Sequence, residues 1–119
     1  MNVALIGSNF GLKGYLPVIK KIKNLKLKII CSRNINKINL KKIDNVEYLP
    51  EWKDVFKKNI DILILAVPPK IQEKILLYNL SYRKKVIFEK PITTNYVKSN
   101  KIVHYIKKKK IKSEINLTY

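Results

Sequence analysis

Cysteine is almost missing from this sequence: Cys31 is the single one among 119 residues. One thiol excludes an intrachain disulfide and a cysteine-based zinc cluster. The start, Met1 to Gly7, has neither a basic segment nor a long apolar stretch, so no secretory leader is visible and a reducing, cytoplasmic setting is expected. The longest apolar run, Ile62 to Pro69, falls far short of the roughly 18 residues of a membrane span. Histidine and tryptophan also occur once each, as His104 and Trp52. His104 lies in an expected helix and reads as a surface or packing residue. No metal site is expected. Acidic residues number only 8, against 26 Lys and Arg, giving a formal net charge of +18.

That charge raises nucleic acid or an anionic membrane as a partner. The composition argues against a specific one. Of the basic residues 24 are Lys, and only Arg33 and Arg83 are Arg, whereas base readout and bidentate phosphate recognition favour Arg. The lysines are spread along the whole chain, together with 19 Ile and 12 Asn, as an AT-rich coding sequence filling tolerant surface positions would leave them. The densest run, Lys107 to Lys110, ends an expected helix, where cations suit the dipole. Salt-sensitive adhesion to polyanions is the expectation, not sequence recognition.

What is present is 46% apolar residues in a readable pattern. Val3–Ile6 reads as a buried strand. Leu12, Tyr15, Leu16, Ile19 and Ile22 then fall at helical spacing, with Pro17 expected to distort that helix or shift its start. Leu25–Cys31 and Val46–Leu49 read as strands two and three, with a weakly helical stretch at 34–43 between them. Residues 51–58 form a short helix burying Trp52, Val55 and Phe56, with Trp52 read as core. Ile60–Val67 is the strongest strand, apolar throughout as a strand covered on both faces should be, and Pro68-Pro69 ends it. A helix over 71–80 buries Ile71, Ile75, Leu76 and Leu80. Lys85–Glu89 is strand five. Thr93 or Thr94 is a plausible N-cap for a helix to about Lys109, and 112–119 alternates as strand six. No repeat or linker interrupts the pattern.

Strand and helix thus alternate along the chain. This predicts an α/β fold: an open, mostly parallel, six-stranded sheet with helices on both faces, in three layers. Such sheets bind ligands beyond the carboxyl ends of their strands, where the strand order reverses. After strand one stands Gly7-Ser8-Asn9-Phe10-Gly11-Leu12, a degenerate form of the Gly-x-Gly-x-x-Gly phosphate turn. Gly7 would permit a tight turn, and backbone N–H groups from Phe10 to Leu12 at a helix start would favour a pyrophosphate. An ordinary strand-to-helix turn reads equally well. After strand two stands Ser32-Arg33. The acid that would accept a ribose 2′-OH is missing, and a hydroxyl with a guanidinium suits a 2′-phosphate, favouring NADP over NAD. Cys31 reads as packing.

After strands four and five stand Ala66-Val67-Pro68-Pro69 and Phe88-Glu89-Lys90-Pro91. With these the sequence resembles the glucose-fructose oxidoreductase, inositol dehydrogenase and rhizopine-catabolism (Gfo/Idh/MocA) oxidoreductases over essentially its whole length. Gly7 to Leu12 followed by Tyr15-Leu16-Pro17 is similar to their first turn and helix. Tyr15 and Gln72 stand where many relatives have His. The resemblance implies a Rossmann-type, doubly wound NAD(P)-binding domain over 1–119. Gly7, Asn9, Phe10, Gly11 and Leu12 would line the pyrophosphate, and Ser32 and Arg33 would hold the adenosine ribose. Val67 and Pro68 would lie along the cofactor. Glu89 and Lys90 would sit beside the nicotinamide, with Lys90 as the catalytic cation that steadies a developing alkoxide. Burial there would let Lys90 assist proton transfer as well.

The resemblance further implies hydride transfer between NADP(H) and a sugar-like or other carbonyl or hydroxyl substrate. The relatives continue into a second domain that completes the substrate pocket, so this chain alone is expected to be an inactive, nucleotide-binding fragment. It would meet a small-molecule substrate only with a second domain or partner chain. The alternative is a non-catalytic nucleotide-sensing or assembly module, against which Glu89-Lys90-Pro91 argues, since a sensor needs no cation at a reacting carbon.

Overall fold

The computed structural model describes residues 1–7, 9–33 and 45–116. The side chains of 9–13 and of Asn116 lie outside that description, as do the weak helix expected over 34–43 and the end of the expected last strand, 117–119.

The elements follow the alternation of the sequence. They are β1 (Asn2–Gly7), α1 (Asn9–Lys21), β2 (Lys26–Cys31), β3 (Glu47–Leu49), α2 (Trp52–Val55), β4 (Ile62–Ala66), α3 (Pro69–Tyr82), β5 (Lys85–Glu89), α4 (Tyr96–Lys108) and β6 (Ser113–Asn116). Among the described residues the six strands form one sheet in the order β3-β2-β1-β4-β5-β6, and every pairing is parallel. The order reverses between β1 and β4, which places the switch point there.

Alternation along the strands feeds two cores. Ala4, Ile6, Leu63, Leu65, Val86 and Phe88 point to the layer holding α3 and α4, where Ile75, Leu76, Ile102 and Ile106 meet them. Val3, Leu5, Ile62 and Ile64 point the other way, to Leu16 and Ile19 of α1. β4 is buried at all five positions, as its unbroken apolar run requires of a central parallel strand.

Some local expectations need correction. α1 runs through Pro17 without interruption. Pro17 faces solvent, where a carbonyl left without its helical N–H can be hydrated. Ile22 lies past the end of α1 and is exposed, so it is not part of the buried stripe. The cap of α4 is Asn95, whose side chain accepts from the Lys98 N–H at 3.0 Å, not Thr93 or Thr94. Thr93 is buried and spends its hydroxyl on the Asn95 carbonyl at 2.7 Å. In α3 the buried face includes two polar residues, Gln72 and Asn79, beside Ile75 and Leu76.

Candidate functional site

The carboxyl ends of β1, β2 and β4 open into one cleft of about 190 Å³. Ile6 and Gly7 form its floor, Cys31, Ser32 and Arg33 one wall, and Val67, Pro68 and Ile71 the other, with Pro50 and Trp52 closing the β3 side. Five of the residues singled out in the sequence (Gly7, Ser32, Arg33, Val67 and Pro68) are therefore brought together. The floor is sterically set. A Cβ on Gly7 would stand 2.5 Å from the Ala66 carbonyl oxygen and 2.9 Å from its Cβ, because Gly7 and Ala66 are register partners in the β1–β4 pairing. Gly7 has no positive φ. The glycine is thus required by close strand approach rather than by turn conformation, which corrects the reason read from the sequence.

α1 begins at Asn9, two residues past the end of β1. Its first backbone N–H groups, those of Asn9, Phe10, Gly11 and Leu12, have no helical acceptor of their own and sit at the switch point. This is the position where a helix start favours a phosphate. Ser32 is buried and its N–H donates to the Leu49 carbonyl at 3.0 Å, tying the end of β2 to β3. Arg33 is exposed at the rim. Cys31 is a buried, unbridged thiol. Burial first, then the nearby carboxylates of Glu51 and Asp54, push its pKa from an ordinary value near 9 up to about 12. It stays protonated and takes no part as a nucleophile.

Glu89 and Lys90 lie at the β5 end, beyond the cleft's β4 wall. Glu89 is half-buried and accepts from the Tyr15 hydroxyl at 2.8 Å. Lys90 is exposed. The burial expected to bring it into proton transfer is therefore not provided by the described residues.

Sequence reasoning missed Pro50, Ile71 and Ile6 as cleft lining, and it favoured a core role for Trp52 over a ligand role, which its packing against the core bears out. Trp52 is half-buried and does both jobs. It packs edge-on against Phe56 and Tyr78, with ring centroids at 6.1 and 5.2 Å, and it lines the cleft. The signal was its place directly after a strand end, at Pro50-Glu51-Trp52. His104 is exposed on α4, away from the cleft. Among the described residues no helix is long and apolar enough to cross a membrane, and no group of three or more His, Cys, Asp or Glu gathers as a metal site.

The family model for "Oxidoreductase family, NAD-binding Rossmann fold" (Gfo/Idh/MocA) matches residues 1–116. No curated protein matches the chain. Among solved structures it is similar to a dehydrogenase from Chromobacterium violaceum, with a TM-score of 0.87 at 16% identity over 97% of this chain and 35% of that one. It is similar to myo-inositol 2-dehydrogenase from Lactobacillus plantarum, with a TM-score of 0.83 at 21% identity over 98% of this chain and 36% of that one. An oxidoreductase from Agrobacterium radiobacter, solved with NAD+, L-tartaric acid and magnesium, gives 0.80 at 14% identity over 98% and 35%. The chain thus spans about a third of the length of these structures.

Proposed function

The chain belongs to the Gfo/Idh/MocA oxidoreductase family and forms its NAD-binding Rossmann domain, and from that premise we propose that it holds NADP(H) for hydride transfer to or from a carbonyl or hydroxyl substrate. The observation that carries this reading is the convergence of Gly7, Ser32, Arg33, Val67 and Pro68 on one cleft at the switch point. The residues present fit the cofactor. Gly7 lines the cleft without a side chain, which lets a ligand approach the backbone closely. The start of α1 offers N–H groups to a pyrophosphate. Ser32 and Arg33 at the end of β2 would take the adenosine ribose, and Trp52 with Pro50 would form an apolar wall for the adenine.

A dinucleotide seated this way crosses the switch point, so its nicotinamide half extends toward the ends of β4 and β5. Val67 and Pro68 would lie along it, and Glu89 and Lys90 beside its reactive end. The bound nicotinamide would supply or accept the hydride. The Lys90 ammonium would hold the substrate oxygen and steady its negative charge, a role open to an exposed cation at the rim. A sugar-like substrate is the reading favoured by the family, and the rest of its pocket would come from a further domain or a partner chain. This domain alone binds the dinucleotide and does not turn over.

The 2′-phosphate assignment rests on Arg33. Calorimetric titration should show NADPH binding more tightly than NADH. Arg33→Ala should weaken NADPH about tenfold, as loss of one exposed charge-assisted contact does, and leave NADH within about twofold. Equal affinity for both cofactors before and after the substitution would overturn the 2′-phosphate assignment, and tighter binding of NADH would assign the site to NAD.

A further inference from the structure

The turn at the end of β5 is held from both faces of the sheet by two side chains outside the cleft. From the α3 layer Gln72, only 1% exposed, sends its amide nitrogen to the Glu89 carbonyl at 2.8 Å, the Ile92 carbonyl at 3.0 Å and the Pro91 carbonyl at 3.4 Å. Its amide oxygen accepts from the Glu89 N–H at 3.3 Å. The amide therefore reads the backbone on both sides of Lys90. From the α1 layer, where Tyr15 and Ile87 both pack against the core of Leu16 and Ile19, the Tyr15 hydroxyl donates to Glu89 Oε1 at 2.8 Å. Glu89 and Ile87 share one face of β5, so the carboxylate is held from the side opposite Gln72.

These contacts have a selective geometry. Burying a glutamine costs free energy unless its polar atoms are satisfied, and here, among the described residues, every hydrogen bond of that side chain goes to residues 89–92. A packing role alone would be filled by Leu or Met. We propose that Gln72 and Tyr15 are positioning residues that fix the Glu89–Lys90–Pro91 turn, and thereby the reception of the nicotinamide half. The inference rests on the dinucleotide reading above and adds to it a division of labour: the β1–β2 side sets affinity for the adenosine half, and this clamp sets the contribution of the other half.

The chain's single tryptophan, Trp52, lines the cleft, and its emission reports ligands there. The test titrates NADPH and ADP-ribose 2′-phosphate, which lacks the nicotinamide, into the wild type, Tyr15→Phe and Gln72→Met. In the wild type NADPH should bind more tightly than the truncated ligand. Both variants should lose about tenfold in NADPH affinity and stay within about twofold for ADP-ribose 2′-phosphate. Tyr15→Phe removes a single oxygen and keeps the test readable should Gln72→Met fold poorly. Equal losses for both ligands, or no loss, would overturn the clamp while leaving the dinucleotide reading intact. Failure of both ligands to quench the wild type would overturn that reading, and the clamp with it.

Discussion

Gly7→Ala is expected to lower the melting temperature by about 10 °C and to abolish nucleotide binding. The added Cβ would meet the Ala66 carbonyl oxygen at 2.5 Å, a backbone atom that no rotamer change can move. Ala66 sits in β4, and all five residues of β4 are buried, so relief requires β1 and β4 to part at their carboxyl ends. Overpacking of this kind costs about 1–3 kcal/mol, and for a domain of this size each kcal/mol is worth roughly 4 °C. The same separation would deform the floor of the cleft and the start of α1, so binding and stability fall together. Gly14→Ala is the control. A Cβ there meets nothing within 4 Å, and alanine inside an exposed helical turn should stabilise by about 0.5–1 kcal/mol. Thermal melts of the two variants should therefore move in opposite directions. Equal behaviour would contradict the close β1–β4 approach.

Gln72→Glu is expected to be the most pH-dependent substitution in the chain. It preserves shape and replaces an amide donor by a carboxylate facing the carbonyls of Glu89, Pro91 and Ile92. Burial and the acceptors around it favour the protonated form, so the folded state would hold its proton above the ordinary Glu value of about 4.3. A raised folded pKa means stability that is present below about pH 4 and is lost as pH rises through the folded value. Near pH 4 the protonated acid can still donate one hydrogen bond, and the variant should melt within a few degrees of the wild type. At pH 8 a buried carboxylate that faces three carbonyls and keeps only the Glu89 N–H as donor should cost about 3 kcal/mol or more, roughly 10 °C. Melts of both proteins across that range check this. A constant difference would show that the side chain at 72 does not read the turn.

The sequence reveals the fold more fully than the site because the two rest on different signals. β4 is an unbroken apolar run and β1 a run closed by Gly7, so each declares itself within a few residues. The strand ends then follow from topology, which is why the place of Ser32, Arg33, Val67 and Pro68 at one edge of the sheet is legible in the sequence. The core packing of Trp52 is legible because Trp52 with Val55 and Phe56 has the pattern of a buried helical stripe, but that pattern does not show the ring's second place in the cleft lining. Only the neighbouring β2 end shows that one side of the ring is open. Gln72 lies within a stretch whose apolar residues fix the helix but say nothing of a polar partner, and its partners are 17 to 20 residues downstream. Such a contact has no local periodicity to reveal it. The place of Lys90 after a buried strand marks it as a strand-end residue but says nothing of its burial: β5 ends at Glu89 and the next side chain is already exposed at the rim.

Whether the separated strand ends form one rim that holds an adenine dinucleotide can be read from backbone amide NMR during titration with NADPH. Saturable shifts are expected, confined to Gly7, the start of α1, Ser32-Arg33, the Trp52 indole, Val67 and the Glu89–Lys90 turn, and persisting at physiological salt. Shifts spread over the exposed lysines of α4 and vanishing with salt would mean that only polyanion adhesion occurs. That result, or no response at millimolar NADPH and NADH, would contradict such a rim.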